Sequence, residues 1–471
     1  MVSVLLVCSM LFMPQQASAS NVIGSAVSKR IGTTNVSVSL RSLQTGNVIY
    51  ELKANTPMKP ASTIKLLTGS AALATLGENY RFATEFYIDG EVVGDVLNGD
   101  IYIKGSGDPT LQASVFSQFA NALKSEGIRI INGQLYGDDT AFSGSTLTPG
   151  IVAKEETYYF AARTSALTMS PNEDYDASTL IVTANATKAG RAPSYTVTPN
   201  LSGMTIKNSA KTVASGNKNT LTIKRRYNSN EIIIAGNIPV GSSLKEWVTF
   251  KDPTINTLAS AKLTLEGAGL KFAGQPAIER KAVSTDAKLI YTKQSLTLKA
   301  LYPTFVKLSN NSIADILVKA MGREVYGVGD TTTGLKVVRE YGKSIGLSME
   351  DWTLHDGSGM SHTNKVSANE QTLLLHNIID SDIYPTFYRG LPIGGVDGRL
   401  VGGSLRKRFN SEDLRNRVVA KTGSITGVYT LAGYVTAKSG RTFAFSVMTS
   451  DKSTAAVKGI DAVVESIIKN Y

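Results

Sequence analysis

Three short runs in this 471-residue chain hold side chains whose types and spacing suit acyl transfer. In the first, Ser62-Thr63-Ile64-Lys65, a serine and a lysine stand three residues apart at the head of the apolar run Leu66 to Leu76. On a helix that spacing puts both side chains on one face, so the lysine amine reaches the serine hydroxyl. A serine hydroxyl attacks a carbonyl well only when a base takes its proton, and a neutral lysine amine beside it can be that base. The same S-x-x-K spelling recurs at Ser215/Lys218, Ser242/Lys245, Ser404/Lys407 and Ser466/Lys469, so spacing alone does not select Ser62. Context does. Pro60 stands where a helix begins and a helix-forming run follows. Ser215 sits among Gly216, Asn217 and Asn219, Ser242 follows the Pro239/Gly241 turn, Ser404 follows Gly402-Gly403 in a basic run, and Ser466 is near the end of the last helical run. A serine that caps a helix beside a solvated lysine has the same spelling, so the first run needs company.

The remaining needs are a group that returns a proton to the leaving amine, donors for the oxyanion, and a dock for substrate charge. Ser309-Asn310-Asn311 follows the segment Thr297 to Leu308 and precedes the helical run Ser312 to Met321, so it sits at a helix–helix junction. Lys421-Thr422-Gly423 ends the expected strand Arg417 to Ala420 and is followed by Ser424 and Gly427. A lysine and a hydroxyl at a strand end, with a glycine that permits close backbone approach, make a dock for a carboxylate.

The elements that must position these runs lie at the two ends of the chain. Asn35 to Leu43 and Asn47 to Lys53 alternate around Thr45-Gly46 and read as a hairpin. Arg417 to Lys421, Gly427 to Val435 and Thr442 to Thr449 read as three more strands, and Ala455 to Ile468 has helical spacing. One antiparallel sheet flanked by helices is therefore expected from the first and last parts of the sequence, an α+β arrangement. The middle differs. From about residue 85 to 290, short β-like runs such as Asp100 to Ile103, Leu180 to Ala184 and Glu231 to Ala235 alternate with Gly, Asn, Ser and Pro clusters, and helical pattern is confined mainly to Leu111 to Ser125 and Leu244 to Leu265. This is expected to be a large β-rich insertion at 86–290, divided into 86–167 with 245–290 and 168–244. The discontinuous catalytic domain is expected at 20–85 and 291–471.

Composition sets the setting. Apolar residues make up 42% and charged residues 18%, ordinary for a globular chain. Val2 to Met13 is mostly apolar and leads through Pro14-Gln15-Gln16 to Ala17-Ser18-Ala19, which reads as a secretory signal peptide at 1–19, though without a basic first segment. The single cysteine, Cys8, lies within it, so thiol chemistry and cysteine-bound metals are disfavoured in the mature chain. Three histidines supply a histidine triad or zinc site poorly. No metal or other cofactor is expected. The net charge of +11 points to anionic cell-wall polymers or a membrane surface as partners. No basic motif interleaved with aromatics calls for nucleic acid.

Taken together, S-x-x-K, S-N-N and K-T-G are the signature of β-lactamases and penicillin-binding proteins, with asparagine in the middle run where aspartate is commoner. The 247 positions from Ser62 to Ser309 (309 − 62) exceed what a compact β-lactamase needs. Pro60 to Ala72, Ile101 to Leu111 (I-Y-I-K-G-S-G-D-P-T-L), Gly137-Asp138-Asp139, Asp356 to Ser361 (D-G-S-G-M-S), Leu391 to Leu400 and Ala420 to Gly427 resemble the class C low-molecular-mass penicillin-binding proteins. These are the penicillin-binding protein 4 type D-alanyl-D-alanine carboxypeptidases/endopeptidases. The resemblance implies a transpeptidase/β-lactamase-like domain with inserted domains between the first two motifs. It also implies a serine-type D-Ala-D-Ala carboxypeptidase outside the cytoplasm, acting on peptidoglycan stem peptides that end in D-Ala-D-Ala and acylated by β-lactam antibiotics. Carried over residue by residue, it makes Ser62 the acyl-enzyme nucleophile, Lys65 its base and Ser309 the proton relay. Asn311 would hold the peptide amide, and Lys421 and Thr422, with Gly423, the terminal carboxylate. Backbone N–H groups of Ser62 and Ser424 would form the oxyanion hole. Two other readings stand beside this one: a β-lactamase, which needs fast deacylation, and a non-catalytic wall-binding or β-lactam-sensing protein.

Overall fold

A computed structural model describes residues 21–451 and 453–471. The signal-peptide reading of residues 1–19 and Cys8 lie outside the described residues. Among those described, no helix is long and apolar enough to cross a membrane. The chain forms two compact units. The first comprises the described residues up to Asn79 with Leu298–Asn310 and Leu335–Tyr471; the second comprises Tyr80–Thr297 and Asn311–Gly334.

The first unit is built on an antiparallel five-stranded sheet in the order Val418–Ile425, Val428–Thr436, Thr442–Thr449, Val36–Ser42, Val48–Leu52. The two ends of the chain meet in it, with Val38 opposite Val447. Alternation along the strands gives its faces different characters. Val36, Val38 and Leu40 join Phe443, Phe445 and Val447 in an apolar back that packs on Ile23 and Val27 of the helical residues 21–30 and on Ile460, Val463, Val464 and Ile467 of the helix Ala455–Asn470. The front carries Ser37, Ser39 and Ser446, buried beneath the helix Ala368–Asn377. Ser39 Oγ and Thr372 Oγ1 lie 2.9 Å apart, and Ser446 donates to Gln371 Oε1 at 2.8 Å. These bonds satisfy hydroxyls that burial would otherwise make costly.

The strand expected to stop at Ala420 runs on to Ile425, with Lys421 opposite Ala432 and Gly423 opposite Thr430. Pairing with the neighbouring strand overrides the glycine that looked like a terminator, so K-T-G lies inside the edge strand.

The second unit holds a seven-stranded sheet centred on the hairpin Ala83–Val93 and Val96–Gly105, two three-stranded sheets and a two-stranded pair. One apolar cluster runs through it. Phe86, Ile103 and Phe119 pack in the same core as Leu180, Val182, Ile232 and Ile234, so the core is continuous across both subdivisions expected at 86–167 and 168–244. The segment Leu244 to Leu265, read as one helix, is a strand over Ser243–Thr249 followed by a helix over Pro253–Gly267. Asp252 accepts from Ile255 N and Pro253 occupies the first turn, a start signal that places the boundary. The helix Asn311–Tyr326, assigned from sequence to the catalytic segments, belongs to this second unit. It is fixed there by Ser312 donating to Ala177 O at 3.2 Å and by Lys319 donating to Ser143 O and Ser145 O, each at 2.9 Å.

Candidate active site

The segment that carries Ser62 is a 3₁₀ turn, Ala61–Ile64, running into the α-helix Lys65–Leu76. In a 3₁₀ turn residues i and i+3 eclipse, which brings Lys65 over Ser62. Lys65 Nζ donates to Ser62 Oγ at 2.9 Å. Ser62 is 8% exposed and Lys65 fully buried, so the hydroxyl is reachable while the amine is shielded from water. The residue before the serine, Ala61, holds a φ of +47°, a left-handed conformation costly for a side chain with a Cβ. The turn tolerates it because its surroundings are tied down. Thr430 Oγ1 donates to Pro60 O at 2.8 Å, and Gln371 Nε2 donates to Thr63 Oγ1 at 2.7 Å.

A loop supplies the other wall. Ser358 O accepts from Lys65 Nζ, and also from Ser62 Oγ at 3.4 Å. The loop is shaped by buried Asp356, which accepts from Gly359 N at 2.8 Å, Ser361 N at 2.6 Å and Asn364 Nδ2 at 2.7 Å. Thr68 Oγ1 ties the loop to the helix Lys65–Leu76 through Gly357 O at 2.9 Å. In the sequence, D-G-S-G-M-S is a point of resemblance and a glycine-rich turn between His355 and His362. An aspartate ahead of a glycine-serine turn is a turn-forming signal that marks the loop.

Ser309 follows the helix Leu298–Lys307 with a φ of +60°, the left-handed exit that ends a helix and swings the side chain away from its axis. Its hydroxyl accepts from Lys421 Nζ at 2.8 Å, and the same amine donates to Thr422 O at 2.7 Å. Lys421 is fully buried. Burial pushes its amine well below the usual lysine range, and the charge of Lys65 adds to the effect. Lys421 thus stands beside the Ser309 hydroxyl, while Lys65 stands beside the Ser62 hydroxyl.

Gly423 brings the edge strand onto the Ser62 turn. A Cβ there would lie 2.1 Å from Thr430 Oγ1 and 2.7 Å from Pro60 O, so no side chain fits without displacing both. Thr422 is half-buried and Ser424 exposed. Within the first unit the fold therefore gathers Ser62, Lys65, Ser309, Lys421, Thr422 and Gly423, with Ser424 next along the strand. Asn311 opens the first helix turn of the second unit, where its Nδ2 donates to Phe160 O at 2.7 Å.

The acidic residues Asp138, Asp139, Glu155 and Glu156 lie in the second unit. Asp139 is engaged by Arg280 at 2.7 Å, and Glu156 by Arg163 and by Arg225 at 3.2 Å. Asp138 accepts from Thr140 N and Val283 N, both at 3.0 Å. Glu155 keeps one buried oxygen, Oε2, with no hydrogen-bond partner among the described residues.

The chain is similar to known proteins over most of its length. The model of the D-Ala-D-Ala carboxypeptidase 3 (S13) family matches residues 19–471. A D-alanyl-D-alanine carboxypeptidase of an Actinomadura species is 30% identical over 429 residues, covering 91% of this chain and 80% of that protein. The D-alanyl-D-alanine carboxypeptidase DacB of Haemophilus influenzae is 26% identical, covering 89% and 86%. The crystal structure of penicillin binding protein 4 (dacB) from Haemophilus influenzae superposes with a TM-score of 0.81 at 22% identity, covering 95% of this chain and 99% of that one. The structure of that protein complexed with a β-lactam gives a TM-score of 0.75, again at 22% identity, with 94% and 97% covered.

Proposed function

The chain belongs to the D-Ala-D-Ala carboxypeptidase 3 (S13) family of serine peptidases, and from that premise we propose that Ser62 forms the acyl-enzyme and that Lys65, in its neutral form, is the base that activates it. The observation that carries the assignment is the 2.9 Å contact between Lys65 Nζ and Ser62 Oγ. In the proposed sequence Lys65 takes the Ser62 proton as Oγ attacks the carbonyl of the penultimate D-alanine. Charge on the carbonyl oxygen is met by the backbone N–H groups of Ser62 and Ser424, donors that need no reorganisation at the moment of reaction. Ser309, held 2.8 Å from Lys421 Nζ, relays to the departing amine the proton that Lys65 took from Ser62, giving up its own as it gains that one, while the peptide C–N bond breaks. Lys421 and Thr422 dock the terminal carboxylate, with Gly423 permitting the close approach, and Asn311 holds the peptide amide. Water then hydrolyses the ester and frees Ser62.

The natural substrate in this reading is a peptidoglycan stem peptide ending in D-Ala-D-Ala. An endopeptidase reaction would use the same acylation with a different departing amine. A β-lactam enters by the same attack; its opened ring stays attached and blocks the water step, leaving Ser62 acylated. Cell-wall substrate and the signal-like residues 1–19 together favour secretion and an extracytoplasmic location. The net charge of +11 favours an anionic polymer or membrane surface nearby. The test is release of D-alanine from a D-Ala-D-Ala peptide by the purified protein: release by the wild type and none by Ser62→Ala supports the reading, and equal release by both overturns it.

A further inference from the structure

Ser404 opens one of the four S-x-x-K runs set aside in the sequence, and in the fold it stands next to the carboxylate dock. Its Oγ lies 2.8 Å from Thr422 Oγ1. Lys421 is fully buried, whereas Thr422 is half-buried and Ser404 exposed. A group arriving from solvent along this face therefore meets the two hydroxyls before it meets the amine.

The backbone that presents Ser404 is fixed independently of its side chain. Lys307 Nζ, at the end of the helix that leads to Ser309, donates to Leu391 O at 2.5 Å and Val401 O at 2.8 Å. Gly403 sits so close to that helix that a Cβ would lie 2.7 Å from Lys307 O, and its φ is +55°, so the loop is seated against the helix at this point. Arg406 Nη1 closes the far side by donating to Gly403 O at 2.7 Å. One path thus runs from Ser309 through Lys307 and the loop to Ser404, and another from Ser309 through Lys421 to Thr422. The two converge at the 2.8 Å contact, which holds both hydroxyls in place from separate parts of the chain.

We propose that Ser404 is a further substrate-binding residue: its hydroxyl and that of Thr422 form a paired donor for the terminal carboxylate of the peptide. The inference rests on the reading that Lys421 and Thr422 dock that carboxylate. Each hydroxyl has one proton to give. In the free protein one of the two donates to the other. A bound carboxylate offers two acceptor oxygens and no donor, so both protons turn to it, and the hydroxyl–hydroxyl bond is exchanged for two bonds to an ionised acceptor, which are the stronger kind. Removing the Ser404 hydroxyl leaves no buried polar group without a partner, because the residue is exposed and its neighbours' backbone bonds go elsewhere. Its effect should fall on binding of the carboxylate and not on folding.

The test compares hydrolysis of a D-Ala-D-Ala peptide with hydrolysis of the same peptide as its C-terminal amide. The wild type should prefer the free acid. Ser404→Ala should lower that preference about tenfold, mainly through KM, as expected for loss of one hydrogen bond to a charged group. Ser404→Thr, which keeps the hydroxyl, should restore most of it. A preference unchanged in Ser404→Ala, whether or not both substrates are slowed equally, overturns the inference while leaving the docking role of Lys421 and Thr422 intact. A wild type without preference for the free acid overturns the dock itself and the role of Ser404 with it.

Discussion

In the second unit, Arg225 and Lys293 meet carboxylates, whereas buried Lys319 meets two backbone carbonyls. Fully buried Arg225 donates to Glu156 at 3.2 Å, and Lys293 lies 2.5 Å from buried Asp108. In the first unit, Lys421 donates to the Ser309 hydroxyl and the Thr422 carbonyl, and Lys307 donates to two backbone carbonyls. Burial disfavours a charged amine, and only a carboxylate within reach restores it. The ion pairs of the second unit therefore lock charges into the architecture. The amines of the first unit are held by uncharged oxygens, and their titration moves down: Lys421 well below the usual range, Lys307 to about 8. Ion pairs thus hold Arg225 and Lys293 as fixed charges, whereas Lys307, Lys421 and also Lys319 of the second unit sit among uncharged oxygens that leave their titration lowered.

Removing Lys65 should break the comparison most severely. Lys65→Ala should lower kcat/KM by about 10⁴-fold, the upper end of what a positioned general base contributes, with the circular dichroism spectrum retained. A loss of less than tenfold would assign the base role elsewhere. Next in size is Glu156→Ala, which strands Arg225 in the interior. It should cost about 3–5 kcal/mol of stability, read as a lower urea midpoint, while activity per folded molecule stays near wild type. A small stability change would mean that these pairs hold less of the architecture than their burial implies.

Lys421→Ala should lower kcat/KM by about 10²-fold, as expected when one charge-assisted contact and its orientation are lost. It should also move the acid limb of the acylation profile to higher pH. Two amines in one pocket repel each other's protons, so the one left behind keeps its proton to a higher pH. An unmoved acid limb would show that the two lysines do not communicate. The smallest effect belongs to Lys307. Its amine titrates at about 8 in the folded chain against 10.5 in the free residue. Between those values the unfolded chain binds more protons, so stability rises with pH across that window and is insensitive to this group below it. Lys307→Met should flatten that rise in a series of melting temperatures, and an unchanged slope would remove Lys307 from the comparison.

Much of the first unit was legible because its signals are local. Alternation around Thr45-Gly46, and along Gly427 to Val435 and Thr442 to Thr449, marked strands that join one sheet. The Ser62/Lys65 spacing became a contact because a turn places residues i and i+3 together. What could not be read depended on distant partners. Asn311 follows Asn310 by one residue, yet it opens a helix that belongs to the second unit, held by bonds to Ala177, Ser143 and Ser145. Lys307 looked like any lysine near a helix end until Leu391 and Val401 supplied its acceptors. Ser404 looked like a chance S-x-x-K because nothing near it in sequence points to Thr422. Local patterns placed Ser62 beside Lys65, while the loop that walls them, through Ser358, lies almost three hundred residues away.

The most direct measurement is mass spectrometry of the protein after treatment with a fluorescent penicillin. The expected result is one adduct, on the peptide that contains Ser62 and absent from Ser62→Ala, released slowly as befits a peptidase. An adduct on any other serine, or its persistence in Ser62→Ala, would contradict the assignment of the buried Ser62/Lys65 pair as the reacting centre. Rapid turnover of the drug at Ser62 would keep that centre and make it a β-lactamase.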